Sequence, residues 1–457
     1  MTVRAAQHAL VIGLAETGAS VARRLDAEGW HVTVIEDAPA ATDRYRERVD
    51  AIRAAGARLV EAPDAATTRA LASDVDLVVP SPLVRAEHPA IVAARATGVQ
   101  VRSEIDLAAE RASMPIVAVT GTNGKTTVTS MTTSMLSRSG VRAVAAGNIG
   151  RPLIDAIDDD VDVIVAEVSS FQLAFAETFA PRVAVLLAIT PDHLDWHGTF
   201  DLYVASKARI AAHQPGEDLL VYDADDARAR DVAAAAPARR VGVSLRQDAL
   251  GTYHITGERL VTADGRDIAS LRDLRRSLLH DRTNALASAA AALEVGGTLD
   301  GVRDVLASYE TMPHRVALVG EANGVRWYDD SKATNPDATV RAVSSFDPVV
   351  LLAGGRNKGL DLSVLVSLSP RLRGVVAFGE AGPQIAEAFS VASRTPVVTV
   401  TSMHDAVRVA RDLAQPGDVV LLSPACASFD AYTGYAQRGD DYAAEVRAQL
   451  AQEAKTG

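Results

Sequence analysis

The stretch Gly121-Thr122-Asn123-Gly124-Lys125-Thr126-Thr127 has the residue types needed to hold a nucleotide triphosphate. Glycines let backbone N–H groups turn toward an anion, and Lys125 supplies a cation that reaches β- and γ-phosphates. The hydroxyl of Thr126 or Thr127 is a hard oxygen ligand for Mg²⁺. The strict phosphate-loop pattern would place its first glycine at Val119, so this is a shortened form. A glycine turn beside a solvated lysine is the plainer alternative.

Other side chains carry chemistry at a distance along the chain. Glu167 ends an apolar run and is followed by Ser169-Ser170-Phe171-Gln172; a carboxylate at a strand tip suits Mg²⁺. His193, in Thr190-Pro191-Asp192-His193, is open to three roles: metal ligand, phosphate contact or loop cap. Arg315 is either a bidentate clamp on a phosphoryl group or an ion-pair partner. Asp281 reads as an N-cap that leaves Asn284 in the first turn of an alanine-rich helix. Lys207, taken alone, reads as a surface lysine, and Asp158-Asp159-Asp160 as a solvated turn. Polar loops at 328–336, 354–358 and 423–430 complete the set, with Cys426 read as a buried structural thiol.

These residues need strand ends to hold them. Pro115 to Val119 reads as a buried strand and Val128 to Ser139 as a helix, so the glycine run sits where a helix dipole and open N–H groups converge. Ahead of it, Ala9-Leu10-Val11-Ile12, Gly13, Gly18 and His31 to Ile35 have the layout of a βαβ nucleotide-binding unit. Ala15 replaces the middle glycine of the dinucleotide fingerprint, which disfavours a nicotinamide cofactor. Another nucleotide lying on Thr17-Gly18, with Glu36 or Asp37 near its far end, competes with a plain turn. Pro80-Ser81-Pro82 follows a further strand, and Gly147-Asn148-Ile149-Gly150 makes an exposed polar turn. Strands at Val349–Leu352, Val375–Phe378, Val397–Val400 and Val419–Leu422 imply a third parallel sheet.

The chain has 457 residues, enough for two to four domains, and a formal net charge of -12 with no long basic run, which disfavours nucleic acid as a partner. Met1 to Gln7 shows no leader pattern and no apolar run is long enough to span a bilayer. A single cysteine suits a reducing cytosol. A cytoplasmic monomer is expected.

Taken together, these motifs resemble the ATP-dependent Mur ligases of peptidoglycan synthesis, over essentially the whole chain. The shared features are the 121–127 loop, Gly147-Asn148-Ile149-Gly150, Glu167 with its Ser-Ser-Phe-Gln, Asp192-His193, Asn284 and His314-Arg315. Asp-Ser-Lys-Ala-Thr-Asn at 330–335, Ser-Pro-Ala-Cys-Ala-Ser-Phe-Asp at 423–430 and Gln437-Arg438-Gly439-Asp440 resemble the D-glutamate-adding branch. The resemblance implies an α/β fold of three domains: an amino-terminal Rossmann-like domain at 1–104 for the UDP-substrate, a central phosphate-loop ATPase-type domain at 105–312, and a carboxy-terminal Rossmann-like domain at 313–457 for the amino acid. It implies ATP-driven joining of D-glutamate to UDP-N-acetylmuramoyl-L-alanine through an acyl phosphate.

By the same resemblance, Lys125, His193, Lys207, Arg315 and Lys332 are catalytic, and Gly121 to Thr127, Asn284, Arg315 and Asp330 surround ATP. Thr126, Glu167, His193 and a carbamylated Lys207 would hold two Mg²⁺ ions. Thr17, Gly18, Asp37, Ser81 and Asn148 would meet the UDP-substrate, and Thr334, Lys358, Ser428 and Tyr435 the D-glutamate. Tyr435 stands where the family commonly has Phe. Competing expectations are another Mur-type or folylpolyglutamate synthetase-like ligase, or a regulator that binds ATP without amide chemistry.

Overall fold

The computed structural model describes residues 7–247 and 249–456, with side chains through residue 452; Met1–Ala6, most of the stretch read for a leader, lie outside it. Among the described residues twenty strands form three sheets within two compact units. The first unit takes the residues up to Ile189, Asp201–Leu274 and Thr283–Ser308; the second takes Thr190–Phe200, Arg275–Arg282 and the residues from Tyr309 on.

In the first unit, β1 (His8–Ile12), β2 (His31–Glu36), β3 (Arg58–Glu61), β4 (Leu77–Pro80) and β5 (Gln100–Val101) make a parallel sheet in the order β3-β2-β1-β4-β5. β1 is buried from Ala9 to Ile12 because helices cover both faces, which is why it reads as a continuous apolar run. The order reverses between β1 and β4, and a crevice opens there at the strands' carboxyl ends.

The second sheet contains β6 (Ile116–Thr120), β7 (Ala143–Gly147), β8 (Val163–Glu167), β9 (Val183–Leu186), β10 (Leu219–Asp223), β11 (Arg239–Gln247), β12 (Thr252–Thr256), β13 (Arg259–Val261) and β14 (Asp267–Ser270). Their order is β14-β13-β12-β11-β10-β9-β6-β8-β7. β6 lies between β8 and β9, with Val119 opposite both Glu167 and Val185, so the glycine loop and Glu167 leave neighbouring strands at one edge. The strands β10–β14 carry no motif and went unassigned from sequence; β12 to β14 pair antiparallel at the sheet's end.

In the second unit β15 (Ala317–Ala322), β16 (Val325–Asp329), β17 (Val349–Gly354), β18 (Leu372–Phe378), β19 (Val397–Val400) and β20 (Val419–Ala425) pair in the order β15-β16-β20-β17-β18-β19. The four expected strands are parallel, but β15 is antiparallel to β16, so this sheet is mixed. Alternation fixes its two faces: Val349, Leu351 and Ala353 pack with Ile385 and Phe389, while Val350 and Leu352 pack with Met403, Val407 and Tyr442.

Two local readings are corrected. Asp281 is not an N-cap but lies in the first turn of the helix Leu279–Glu294, where its carboxylate accepts from Leu278 N–H (3.1 Å) and pairs with Arg276 (2.7 Å). The turn Asp158–Asp160 is not merely solvated, since its three carboxylates pair with Arg24, Arg151 and Arg142.

Candidate functional site

The glycine loop ends in the helix Lys125–Arg138, with Gly124 as a left-handed N-cap (φ 86°) that brings no side-chain cap of its own. The helix therefore presents backbone N–H groups and its positive end to an anion. The glycines are required by close approach. A Cβ on Gly121 would stand 2.6 Å from Leu187 Cβ, and one on Gly124 would stand 2.7 Å from Oδ1 of Asn284. Asn284 thus lies against the loop. Lys125 Nζ folds over the loop and donates to the carbonyls of Gly121 and Thr122, each at 3.0 Å. Thr126 is half-buried and Thr127 buried, which favours Thr126 as the hydroxyl open to a ligand.

Lys207 is not a surface lysine: it is 1% exposed. Its amine donates to Gly121 O (2.8 Å) and Thr120 Oγ1 (3.4 Å) and lies 4.7 Å from the Tyr203 ring centroid, while Tyr203 OH meets Thr122 Oγ1 at 3.1 Å. The four-residue spacing of Tyr203 and Lys207 in the helix Phe200–Ala212 puts both under the glycine loop.

Glu167 is buried at the end of β8. Its Oε1 accepts from Asn148 Nδ2 at 2.8 Å, and Gly147 is a glycine because a Cβ there would stand 2.3 Å from Glu167 O. Oε2 of Glu167 is buried without a hydrogen-bond partner among the described residues. A buried carboxylate oxygen with no donor is costly unless something positive reaches it. A carboxylate oxygen is a donor that a hard cation such as Mg²⁺ accepts. Ser169 and Gln172 form a reciprocal cap on a short helix, with Gln172 N–H to Ser169 Oγ at 3.2 Å and Ser169 N–H to Gln172 Oε1 at 2.9 Å.

At the first sheet, a cavity of about 550 Å³ is lined by Gly13, Ala15, Glu36, Asp37, Ser81 and His88, among others. Gly18 is buried; a Cβ there would stand 1.9 Å from Gly13 O, so it serves helix packing, and Ser81 Oγ donates to the same carbonyl at 3.0 Å. The helix Glu16–Ala27 has Ala15 as N-cap without a side-chain bond, leaving its first N–H groups, including that of the half-buried Thr17, available. Of the two acids, Glu36 is committed to the N–H groups of Leu14 (2.6 Å) and Ala38 (3.1 Å), and Asp37, half exposed, pairs with His88 (2.9 Å). Asn148 does not belong to this cavity; it sits beside Glu167.

In the second unit the loops after β16, β17 and β20 converge. Asp192 is 5% exposed; it pairs with Lys358 through Oδ1 and accepts from Asn335 Nδ2 through Oδ2 at 3.0 Å. Burial pushes its carboxyl up, but Lys358 and His193 outweigh that and hold it below the usual range. His193 is left-handed (φ 53°), makes no side-chain cap on the turn Leu194–His197 and keeps its ring partly exposed, so the capping role falls away. Lys332 Nζ stands 3.7 Å over the Tyr435 ring, and Ser331 Oγ donates to Tyr435 O at 2.8 Å. Asp330 is buried, accepts from Ser423 Oγ at 2.8 Å and is pushed up to about 7 by burial, against the pull of Ser423 and the Arg315 charge. Arg315 is half-buried, its guanidinium makes no ion pair among the described residues, and its charge acts on Asp330. His314 is structural, held at 2.6 Å to Asp329. Thr334 is half-buried and Ser428 buried on these loops. Cys426 is buried, and burial raises its thiol to about 12, so it is no nucleophile.

Sequence reasoning gave no individual role to Asp192, Asn335 or Arg438, although all three lie inside motifs it had quoted. Asn335 both caps the helix Pro336–Val343, at 2.9 Å to Ala338 N–H, and holds Asp192.

Comparison with known proteins agrees with this geometry. The Mur ligase middle domain family matches residues 119–292, and the Mur ligase, glutamate ligase domain family matches 314–426. A protein of Geobacter metallireducens named UDP-N-acetylmuramoylalanine--D-glutamate ligase is 39% identical over 448 residues, covering 96% of this chain and 97% of its own. One of the same name from Frankia casuarinae is 40% identical over 451 residues, covering 96% and 94%. Among solved structures, MurF from Acinetobacter baumannii aligns with TM-score 0.60 at 16% identity over 96% of this chain and 92% of its own. MurF ligase from Thermotoga maritima, solved with ADP, aligns with TM-score 0.58 at 19% identity over 93% and 96%. With near-complete coverage at this identity, the chain belongs to the Mur ligase family.

Proposed function

We propose that the chain is an ATP- and Mg²⁺-dependent ligase that joins D-glutamate to UDP-N-acetylmuramoyl-L-alanine in peptidoglycan precursor synthesis. One observation carries this reading: relatives bearing that activity in their names match 96% of the chain and 94–97% of their own length, so the likeness extends over nearly the whole of both chains. The proposed domains are 1–104 for the UDP-substrate, 105–312 for ATP and 313–457 for the amino acid, the first and last Rossmann-like. Separate sheets for each, and family matches beginning at 119 and 314, support those boundaries. No described helix is long and apolar enough to cross a membrane; a cytoplasmic monomer remains part of the proposal.

The UDP-substrate is proposed to lie in the 550 Å³ cavity, its diphosphate on the open N–H groups near Thr17 and Gly18, with Ser81 and Asp37 at its rim. ATP is proposed to rest its phosphates on Gly121–Thr127, with Asn284, Asp330 and Arg315 around the nucleotide. The substrate carboxylate oxygen attacks the γ-phosphorus, the bond to the β-phosphate oxygen breaks, and ADP leaves. The D-glutamate amine then attacks the acyl carbon; the tetrahedral adduct expels phosphate and the amine loses a proton. Activation is needed because a carboxylate is a poor acyl donor.

Lys125 releases its two carbonyl contacts to meet the β- and γ-phosphates, and Arg315 and Lys332 spread the charge that builds on the transferring group. Thr126, Glu167, His193 and carbamylated Lys207 are proposed to hold two Mg²⁺ ions, which neutralise phosphate charge. For Lys207 the support is its burial beside the loop: the ammonium releases one proton, the neutral amine nitrogen bonds to the carbon of CO₂ and releases a second, and a buried cation is replaced by an anionic oxygen donor. Thr334, Lys358, Ser428 and Tyr435 are proposed to bind D-glutamate. Lys358 pairs with the carboxylate of Asp192, and a D-glutamate carboxylate is a partner of the same chemistry.

The test is turnover: Mg²⁺, ATP, UDP-N-acetylmuramoyl-L-alanine and D-glutamate should give ADP, phosphate and a product heavier by one glutamyl residue. Turnover with a different amino acid indicates another Mur-type ligase, and ATP binding without turnover indicates a regulator. ¹³C-bicarbonate should give a carbamate carbon signal that Lys207→Met lacks.

A further inference from the structure

Arg438 is the largest of the fully buried side chains, at 0% exposure. Its Nε donates to Ser331 Oγ (2.9 Å), its Nη2 to Ser331 O (2.9 Å) and Cys426 O (3.2 Å), and its Nη1 to Cys426 O (3.2 Å) and Gly354 O (3.4 Å). Every one of these acceptors is a neutral oxygen, so the charge is not balanced by a carboxylate in direct contact. For stability alone this is a poor use of a buried position, because an apolar side chain of similar volume avoids desolvating a cation. What a guanidinium does that an apolar group cannot is bind several acceptors at once in a fixed plane.

Ser331 and Cys426 lie on the loops that follow β16 and β20, and Gly354 is the closing residue of β17, where the third loop begins. Ser331 is three residues before Thr334, Gly354 four before Lys358, and Cys426 two before Ser428. The surrounding backbone is fitted to the guanidinium. A Cβ on Gly355 would stand 2.9 Å from Arg438 Nη1, and next to it Arg356 and Ala427 exchange backbone bonds at 2.8 and 3.0 Å. A Cβ on Gly439 would stand 2.2 Å from His314 Nδ1, so the helix Tyr435–Thr456 can bring Arg438 in only with glycine beside it.

We propose that Arg438 is a positioning residue that fixes the mutual spacing of Thr334, Lys358 and Ser428 by tying their three loops to one guanidinium, and so sets both affinity for the amino-acid substrate and its preference for one enantiomer. This rests on the reading of those loops as the amino-acid site. Telling D from L requires at least three attachment points held at fixed separations, and each loop contributes one. Lysine cannot replace the arginine, since three donors on one nitrogen do not span acceptors on three loops.

The experiment compares wild type with Arg438→Met, Arg438→Lys and the milder Ser331→Ala, which removes one acceptor, in steady-state turnover with D- and L-glutamate. Expected for Arg438→Met and Arg438→Lys are a KM for D-glutamate raised about 10- to 100-fold, a KM for ATP within about twofold, and a narrowed D-to-L ratio in kcat/KM. Ser331→Ala should move the same two quantities in the same direction by less, which keeps the test valid if the arginine variants fail to fold. Millimolar guanidinium ion should partly restore D-glutamate KM in Arg438→Ala. A D-glutamate KM and enantiomer ratio unchanged in folded variants, or a KM for ATP that rises in parallel, overturns the assignment. Wild type that turns over no glutamate overturns the substrate reading instead.

Discussion

Gly124→Ala puts the phosphate-loop geometry to a quantitative test. Gly124 is left-handed at φ 86°, a conformation costing an L-residue roughly 1–2 kcal/mol. The added Cβ would also stand 2.7 Å from Asn284 Oδ1 and 3.0 Å from Leu187 Cδ1, so the Asn284 amide must move away from the loop. Losing one hydrogen-bonding group from the nucleotide site is worth about 0.5–1.5 kcal/mol. Strain acts on the free and bound protein alike, whereas displacement of Asn284 and of the loop N–H groups acts on binding. ADP–Mg²⁺ affinity should therefore fall about 10-fold, with stability lowered by roughly 1–2 kcal/mol. Gly140→Ala is the control, because Gly140 has φ 82° but nothing within 4 Å of the added Cβ. It should lose comparable stability and no ADP affinity. Calorimetric titration of ADP and urea melts read both quantities. If Gly124→Ala binds ADP within twofold of wild type, or if Gly140→Ala weakens it equally, the close approach of Asn284 is not what the loop requires.

Glu167→Gln keeps the Asn148 contact but removes the charge behind the partnerless Oε2; the Mg²⁺ concentration for half-maximal turnover should rise about 10-fold or more, with no loss of melting temperature. An unchanged Mg²⁺ curve would remove Glu167 from the metal site. Glu104 is buried, accepts from Ile154 N–H at 2.7 Å, and is pushed up to about 7 by burial. Between about pH 4.5 and 7 the native carboxyl keeps a proton that the unfolded chain has lost, so its contribution is full below that window and gone above it. Glu104→Gln should gain on wild type from pH 5 to 8 by at most roughly 3 kcal/mol in urea melts, and a pH-independent gap would contradict the shift. Cys426, raised to about 12 by burial, should not react with a disulfide reagent at pH 8 until denaturant is added, when one thiol per chain appears; rapid native labelling would contradict its burial.

The parts of the site that were legible were those whose residue type states its own geometry. Glycines at 121 and 124 between a strand and a helix announce an anion cradle, and an acid at the end of an apolar run announces a strand tip. Lys207 was not legible from its residues, because nothing in a helix marks which lysine turns under a loop contributed by a strand 87 residues away. The strands β10–β14 went unread because they carry no chemistry and the longest of them, β11, has polar residues at both ends, and β16 because its end, Tyr328-Asp329, looks polar while Val325 and Trp327 face the core. Arg438 sits in a polar helix start, where an arginine is ordinarily solvated; only its five bonds reveal otherwise. Asp281 looked like a cap because acids at N3 and at the cap favour the same helix end.

In the sheet of the second unit, β20 lies between β16 and β17 although it is the last strand of the chain. During synthesis the ribbon β15–β16 and the trio β17–β19 therefore emerge as two fragments with no shared edge. Both wait, with one open edge each, for Val419–Ala425 to be translated. A nascent product cut short before that segment exposes two unpaired apolar rims, the condition that invites aggregation or degradation. Nonsense mutations that fall before Val419 should thus leave both fragments unpaired, however late in this part of the message they come.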